Sequence, residues 1–388
     1  MNAKKSLPRE ESQPSFSLKD HLFNRERIEF LADRFSASQP DFDRARFVAD
    51  AMKSLSALEL KQRIGHLAAC LERVLAGDFR QAARQIVAAL PPPLDPAKTD
   101  DDFGDFIFAP LGEFVVRNGL TKQHLKLSLR TLREITMRFS MEDAIRSFIN
   151  NWPDEVFCTL KKWSTDSNYH VRRLVSEGTR PRLPWSGRLT TDFDRALPLL
   201  DQLHADPTRY VTRSVANHLN DIAKIDPPTV LRTIKRWRQQ KLQRPAELEW
   251  MTRHALRTLV KQGNEPALRL LGFRRDPRIL VTNFCVTPER ITAGDAVVIQ
   301  CELTAERAER LLIDYVVDFV KAGDKRSTKV HKLKSIELAA GESITLKKRH
   351  VFRANATTYT LYSGTHHITL QINGHPGPTG SFELDVPK

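Results

Sequence analysis

The chain has 388 residues, with 61 Lys+Arg against 47 Asp+Glu for a net charge of +14, and four cysteines. Such a length has room for two domains and a sizeable core, and the charge points to a polyanionic partner, nucleic acid first, while saying nothing of fold. No apolar run reaches the roughly 18 residues that span a bilayer; no apolar leader reads as a secretory signal; neither a Walker A loop nor a dinucleotide fingerprint occurs. Cys70, Cys158, Cys285 and Cys301 show no CxxC or Cys/His metal spacing. They read as reduced core thiols of a cytoplasmic protein, with no metal and no nucleotide cofactor.

Residues 1–15 are polar, with Pro and Ser, and read as a disordered leader. From Phe16 to about Gly272 the pattern is helical. Arg25 to Arg34 makes a first amphipathic helix. Asp41 is expected to cap a second, with Phe42, Ala45, Val48 and Met52 on one side. Leu58 to Leu75 carries Leu60, Ile64, Leu67, Ala68 and Leu71 at helical spacing, and Asp78 to Leu90 closes on Pro91-Pro92-Pro93. After a Pro/Asp-rich loop over 91–105 come Phe106 to Arg117 and Lys122 to Phe139. Ser140 is expected to cap a helix burying Ala144, Ile145 and Phe148, and Trp152 to Trp163 follows.

The stretch from Tyr169 to Trp185 organises the rest. Val171, Leu174, Val175 and Gly178 form one buried helical stripe, while Arg173, Glu177 and Arg180 form another that presents base–acid–base. Pro181 and Pro184 stop the helix and stiffen an exit loop carrying Arg182 and Trp185. An ordinary solvated salt bridge explains such a stripe equally well on its own. The stretch recurs, however. Shifted by about 40 residues, Tyr210 to Asn217 overlays it, with Arg213 under Arg173; a further shift brings Arg253 under Arg213, and a weaker copy runs through Leu129 to Arg133. A period of that length built from helix pairs is the signature of HEAT- or armadillo-type solenoids. The in-phase arginines, with Asn217, Asn220, Asp221 and Lys224 continuing the second copy, predict a basic groove.

After Arg275 the texture changes. Val297, Ile299, Cys301 and Leu303 alternate with polar neighbours, and Leu311 to Val320, Ser343 to Phe352 and His366 to Ile372 read the same way, with Asn373-Gly374 as a turn. About seven short strands predict a small antiparallel sandwich, immunoglobulin-like. Cys285 and Cys301 stand too close for that fold's usual inter-sheet disulfide. Lys325, Arg326, Lys329, Lys332 and Lys334 make this part basic too. The expected organisation is therefore an all-α HEAT-like-repeat solenoid over residues 16–274 and an all-β immunoglobulin-like sandwich over 275–388.

Several strings are familiar: Phe16-Ser-Leu-Lys-Asp-His, Pro40-Asp-Phe-Asp, Arg138-Phe-Ser, His170-Val-Arg-Arg-Leu, Ser176-Glu-Gly-Thr-Arg-Pro-Arg-Leu-Pro-Trp, and Ser214-Val-Ala-Asn-His-Leu-Asn-Asp-Ile-Ala-Lys. Through them residues 16–272 resemble the bacterial DNA alkylation repair glycosylases with HEAT-like repeats, most closely the AlkC branch, some of whose members carry an immunoglobulin-like C-terminal domain. The resemblance implies excision of N-alkylated bases, 3-methyladenine and 3-methylcytosine, from double-stranded DNA without flipping the lesion into a deep pocket; a curved groove of this kind works as a monomer, which is the expected state. It implies Glu142, Glu177 and Trp185 as site residues, with Asp221 a weaker member and Arg173 and Arg180 flanking. One departure stands out. Similar proteins commonly have Ser-Glu-Phe where this chain has Met141-Glu142-Asp143, so an aromatic is lost beside the carboxylate and an acid gained.

The chemistry suits those residue types. A base alkylated at N3 is already cationic and leaves without a general acid, and its departure creates an oxocarbenium-like sugar that carboxylates stabilise. A second acid can position water, and an indole face attracts either cation. Arg172, Arg173, Arg180, Arg182, Arg213, Asn217, Lys224 and Arg253 are the expected DNA contacts, gripping phosphates without reading sequence. Glu142 also has a plain structural reading as a helix N-terminal charge, and Trp185 as loop packing. The rival function is a non-catalytic HEAT-repeat scaffold that binds DNA or an acidic protein; a base-flipping enzyme would need a pocket motif that is not apparent.

Overall fold

A computed structural model describes residues 17–75, 77–98, 103–323, 325–354, 356 and 359–387; the expected leader over 1–15 lies outside them. The chain packs as two compact units, one ending at His218 and one beginning at Leu219.

The first unit is helical: α1 (Leu18–Leu22), α2 (Arg25–Ser38), α3 (Arg44–Met52), α4 (Leu60–Glu72), α5 (Phe79–Ala89), α6 (Ala109–Gly119), α7 (Leu125–Thr136), α8 (Glu142–Asn151), α9 (Pro153–Trp163), α10 (Tyr169–Gly178) and α11 (Leu197–Leu203). Next comes α12 (Arg209–Ile222), and the second unit holds α13 (Pro227–Gln240), α14 (Pro245–Lys261) and α15 (Glu265–Leu270). Side-chain caps start many of them. Asn24 accepts from the Arg27 N–H at 3.0 Å, Asp78 from Gln81 at 3.0 Å and Asn168 from His170 at 2.9 Å, each satisfying a donor the helix cannot. Two expected caps are corrected. Asp43, not Asp41, caps α3, accepting from the Arg46 N–H at 2.9 Å, because Asp41 sits in a turn closed by the Phe42 N–H on the Gln39 carbonyl at 3.1 Å. Ser140 does not cap α8; its hydroxyl accepts from Arg173 at 2.9 Å, and Glu142 opens that helix.

Within the first unit α10 packs against α7, α8, α9 and α11. Val171, Leu174, Val175 and Gly178 are buried, as the helical spacing predicts. The close approach needs Gly178, where an added Cβ would lie 2.7 Å from Ile145 of α8.

The C-terminal part forms two sheets from eight strands. β1 (Ile279–Thr287), β2 (Arg290–Thr292), β3 (Ala296–Ala305), β4 (Glu309–Val320), β5 (Arg326–Leu338), β6 (Ser343–Val351), β7 (Gly364–Ile372) and β8 (His375–Asp385) follow in order. One sheet runs β1-β3-β6 and the other β2-β8-β7-β4-β5, with β2 parallel to β8 and every other pair antiparallel. Val297, Ile299, Cys301 and Leu303 all point into the core, as their alternation predicts. Asn373 does more than turn the chain: its side chain accepts from the Leu312 N–H at 2.8 Å and donates to the Arg274 carbonyl at 2.9 Å. No disulfide links Cys285 to Cys301. The expectation of four core thiols is corrected, since Cys158 and Cys285 are exposed and only Cys70 and Cys301 are buried.

Candidate active site

The base–acid–base pattern is not solvated; Arg173 and Glu177 lie on α10, while Arg180, expected on the same helix, follows two residues past its end. Glu177 is only 5% exposed. Arg180 Nη1 donates to Oε1 at 2.6 Å, Ser214 Oγ donates to Oε2 at 2.6 Å, and Arg173 stands 3.6 Å away. Burial alone would push this carboxyl up; the two guanidiniums and the Ser214 hydrogen bond outweigh it and hold the group below the usual carboxylate range. Arg173 also reaches Glu142 at 3.1 Å, and its guanidinium lies 4.7 Å from the centre of the Tyr210 ring. Burial would lower its pKa, but Glu142 and Glu177 outweigh that and raise it, so Arg173 stays charged in a run Glu142–Arg173–Glu177–Arg180.

Beneath this run sits His218 of α12, fully buried, with Nδ1 3.0 Å from the Ser176 carbonyl oxygen. Desolvation, and secondarily Arg180, drives its pKa down to about 3, so it is neutral. Arg146 of α8, also buried, donates to the carbonyls of Gly178 (3.1 Å), Arg180 (2.8 Å) and Gly187 (2.7 Å). A single guanidinium therefore ties both ends of the loop that leaves α10.

That loop carries Trp185, which is 78% exposed and sits at φ 71°. A non-glycine residue in the left-handed region costs on the order of 1–2 kcal/mol, and it persists only where the surrounding loop over-determines it. Trp185 and Glu142 line the same cleft, of about 370 Å³, whose walls include Leu22, Ile64, Phe106 and Val116. Asp143 lies at its rim, 3.9 Å from Lys61.

The expected DNA-contacting residues fall into two groups. Arg173 and Arg180 are committed to the carboxylates. Arg172 makes a two-pronged bridge to Asp206 at 2.5 and 3.2 Å and donates to the Asp166 carbonyl at 2.8 Å, linking the segments that precede α12 and α10. Arg182 is exposed in the loop, and Arg213 and Asn217 are half-buried one turn apart on α12. In the second unit, Asp221 is 2% exposed with Lys224 at 3.2 Å, and Arg253 is exposed on α14, 2.9 Å from Glu249. Ser214, Ser140, Tyr210, His218 and Arg146 escaped the sequence reading of the site. Only the position of Ser214 and His218 within a recurring string hinted at them. Among the described residues no three His, Cys, Asp or Glu side chains gather as metal ligands would, and no helix is long and apolar enough to cross a membrane.

Fold and site together define a helical-repeat protein that sets an ion-paired run of carboxylates and guanidiniums beside a cleft and adds an immunoglobulin-like module. Residues 124–259 match the family model described as DNA alkylation repair enzyme, and residues 280–386 match that of the YhaZ C-terminal Ig-like domain. The uncharacterized protein YhaZ of Bacillus subtilis (strain 168) is 30% identical over 367 residues, covering 94% of this chain and 98% of that one. The Pseudomonas fluorescens alkylpurine DNA glycosylase AlkC, solved bound to DNA containing an abasic site analog, is 34% identical, with a TM-score of 0.85 over 95% of this chain and 99% of that chain. The chain belongs to the HEAT-like-repeat DNA alkylation repair glycosylases, in the AlkC branch.

Proposed function

We propose that this protein is a monofunctional DNA glycosylase that hydrolyses the N-glycosidic bond of cationic N3-alkylated bases, 3-methyladenine and 3-methylcytosine, in duplex DNA. The observation that carries the proposal is a pair of carboxylates, Glu142 and Glu177, joined through Arg173, one of them lining the cleft that Trp185 overhangs. The bond between C1′ and the ring nitrogen breaks, and its electron pair leaves with the base and neutralises the ring. Water bonds to C1′, and its proton passes to a carboxylate or to solvent. One carboxylate at about 4 Å from the sugar cation contributes roughly 4 kcal/mol at an intermediate dielectric. Glu142 is the closer candidate for that contact, being partly exposed in the cleft, while Glu177 fixes the charge behind it. The face of Trp185 holds the cationic ring or sugar, by on the order of 1–2 kcal/mol.

Arg182, Arg213, Lys224 and Arg253 remain the candidate phosphate contacts, with Asn217 as a polar neighbour and Asp221 as a weaker acidic candidate. The open cleft favours approach to a lesion that stays in the duplex, by a monomer acting in the cytoplasm. The test is incubation of the purified protein with duplexes carrying 3-methyladenine, 3-methylcytosine or uracil, reading free base and alkali-labile sites. Release of the methylated bases and not uracil is expected; efficient uracil release, or binding without release, overturns the proposal.

A further inference from the structure

We propose that a second cleft, walled by α14, β4 and β5, binds a small phosphate monoester whose body is a single apolar ring. The proposal does not depend on the glycosylase reading. The cleft, of about 250 Å³, lies wholly within the second unit. That volume is at the small end for a ligand site, which suits one ring and its phosphate and leaves little for a sugar besides.

The alternation of β4 sets up the site. Ile313 and Tyr315 pack in the core of the sandwich, so Leu312 and Asp314 face the other way and line the cleft. Asp314 is 4% exposed there, and among the described residues its carboxyl has neither a hydrogen bond nor a salt bridge. An unpaired buried carboxyl is destabilising, and a second leucine would serve the fold better at that place. Burial pushes the Asp314 carboxyl up to about 6, against the pull of Lys332 and Lys261. A bound anion completes its protonation, and the acid then donates an O–H from the wall of the cleft. Lys261 of α14 and Lys332 of β5, both exposed in the lining, have no salt-bridge partner among the described residues, and their two charges match a dianion. Arg310 is fixed beside them by the Leu271 carbonyl at 3.0 Å and lies 5.2 Å from the centre of the Phe273 ring. Guanidinium of this kind suits phosphate oxygens. Val260, Phe273, Leu312 and Val330 supply hydrocarbon for the ring. Arg253 and Arg257 line the cleft as well, so five cations face one acid and a cationic ligand is repelled. A duplex offers singly charged diesters on a convex surface, which leaves the hydrocarbon and the buried acid unused.

The experiment titrates the full chain calorimetrically with phenyl phosphate, inorganic phosphate and benzoate, for wild type, Lys332→Ala, Asp314→Asn and Asp314→Leu. Phenyl phosphate is expected to saturate one site and to bind at least roughly tenfold more tightly than either inorganic phosphate, which lacks the ring, or benzoate, which lacks the second charge. Lys332→Ala, a change at an exposed position, should weaken it by a similar factor. Asp314→Asn keeps a donor and should bind at least as tightly as wild type, whereas Asp314→Leu should bind roughly tenfold less tightly than Asp314→Asn. No saturation by about 10 mM phenyl phosphate overturns the proposal. Equal binding of phenyl phosphate and inorganic phosphate also overturns it, since only a patch of charge is then at work. So does an affinity unmoved in Lys332→Ala and equal in the two Asp314 variants, which places the ligand elsewhere. Displacement of phenyl phosphate by an undamaged duplex in simple competition overturns it as well and gives the cleft to DNA.

Discussion

Glu177 keeps its charge in a place that would ordinarily neutralise it. Its position is therefore a property of its partners, and removing its charge tests them together. In Glu177→Gln, Arg173 and Arg180 lose a shared counter-charge, and an uncompensated buried charge costs roughly 3–5 kcal/mol. We expect excision to fall at least tenfold while DNA binding is retained, with a matching drop in urea stability; unchanged excision would remove Glu177 from the mechanism. Glu142→Gln separates the two roles. Arg173 there keeps Glu177 at 3.6 Å, so stability should move by less than about 1 kcal/mol while excision still falls at least tenfold. The charge pattern of Arg173, Glu177 and Arg180 was legible in the sequence from their spacing, whereas Glu142, on α8, entered only through the resemblance. Ser214 was not, because its contact with Glu177 spans 37 positions and no helical period reports on it.

At the scale of the element, α8 and α12 hold the chemistry in place. Arg146→Met would leave three carbonyls around the Trp185 loop without their donor, at a cost of roughly 2–4 kcal/mol by chemical denaturation. His218 makes this region acid-sensitive. Its folded pKa of about 3 lies below the ordinary value of 6.5, so the unfolded chain binds the extra proton between them. Stability is full above about pH 6.5 and declines as pH falls, by up to about 1.4 kcal/mol per pH unit for this one group. Unfolding measured from pH 7 to pH 4 should show that slope, and His218→Gln should flatten it by about one proton. Helices were the legible elements, since their apolar positions repeat at 3.6 residues. Strands were so where apolar and polar positions alternate, centrally as in β3 or at an edge as in β6. By contrast β5 carries lysines, and β8 contains Pro376, Gly377, Pro378 and Gly380.

For the molecule as a whole, the charge of +14 is an instrument of association. Three of the arginines expected on phosphates are spent inside the first unit, where they pair with acids. The four other cations, of which Lys224 and Arg253 have acidic neighbours of their own in Asp221 and Glu249, predict a log–log salt slope for duplex binding near −4 with one phosphate each, and Arg182→Ala should reduce it by about one. A flat response would argue against a phosphate-gripping surface. The 40-residue recurrence disclosed the repeat architecture because each copy preserves its buried stripe. It said less about which arginines face outward, since that depends on acids such as Asp206, in the segment before α12, and Glu142, at the start of α8.

The backbone at Trp185 has one more implication. A φ of 71° is a glycine's conformation, and the indole is maintained there against that preference. Trp185→Gly should therefore raise unfolding stability, by about 0.5–1 kcal/mol once glycine's greater unfolded freedom is subtracted, while excision drops. Selection for heat resistance and selection for repair would thus pull this one codon in opposite directions, so a library sorted for thermal survival would lose the tryptophan that a library sorted for excision retains.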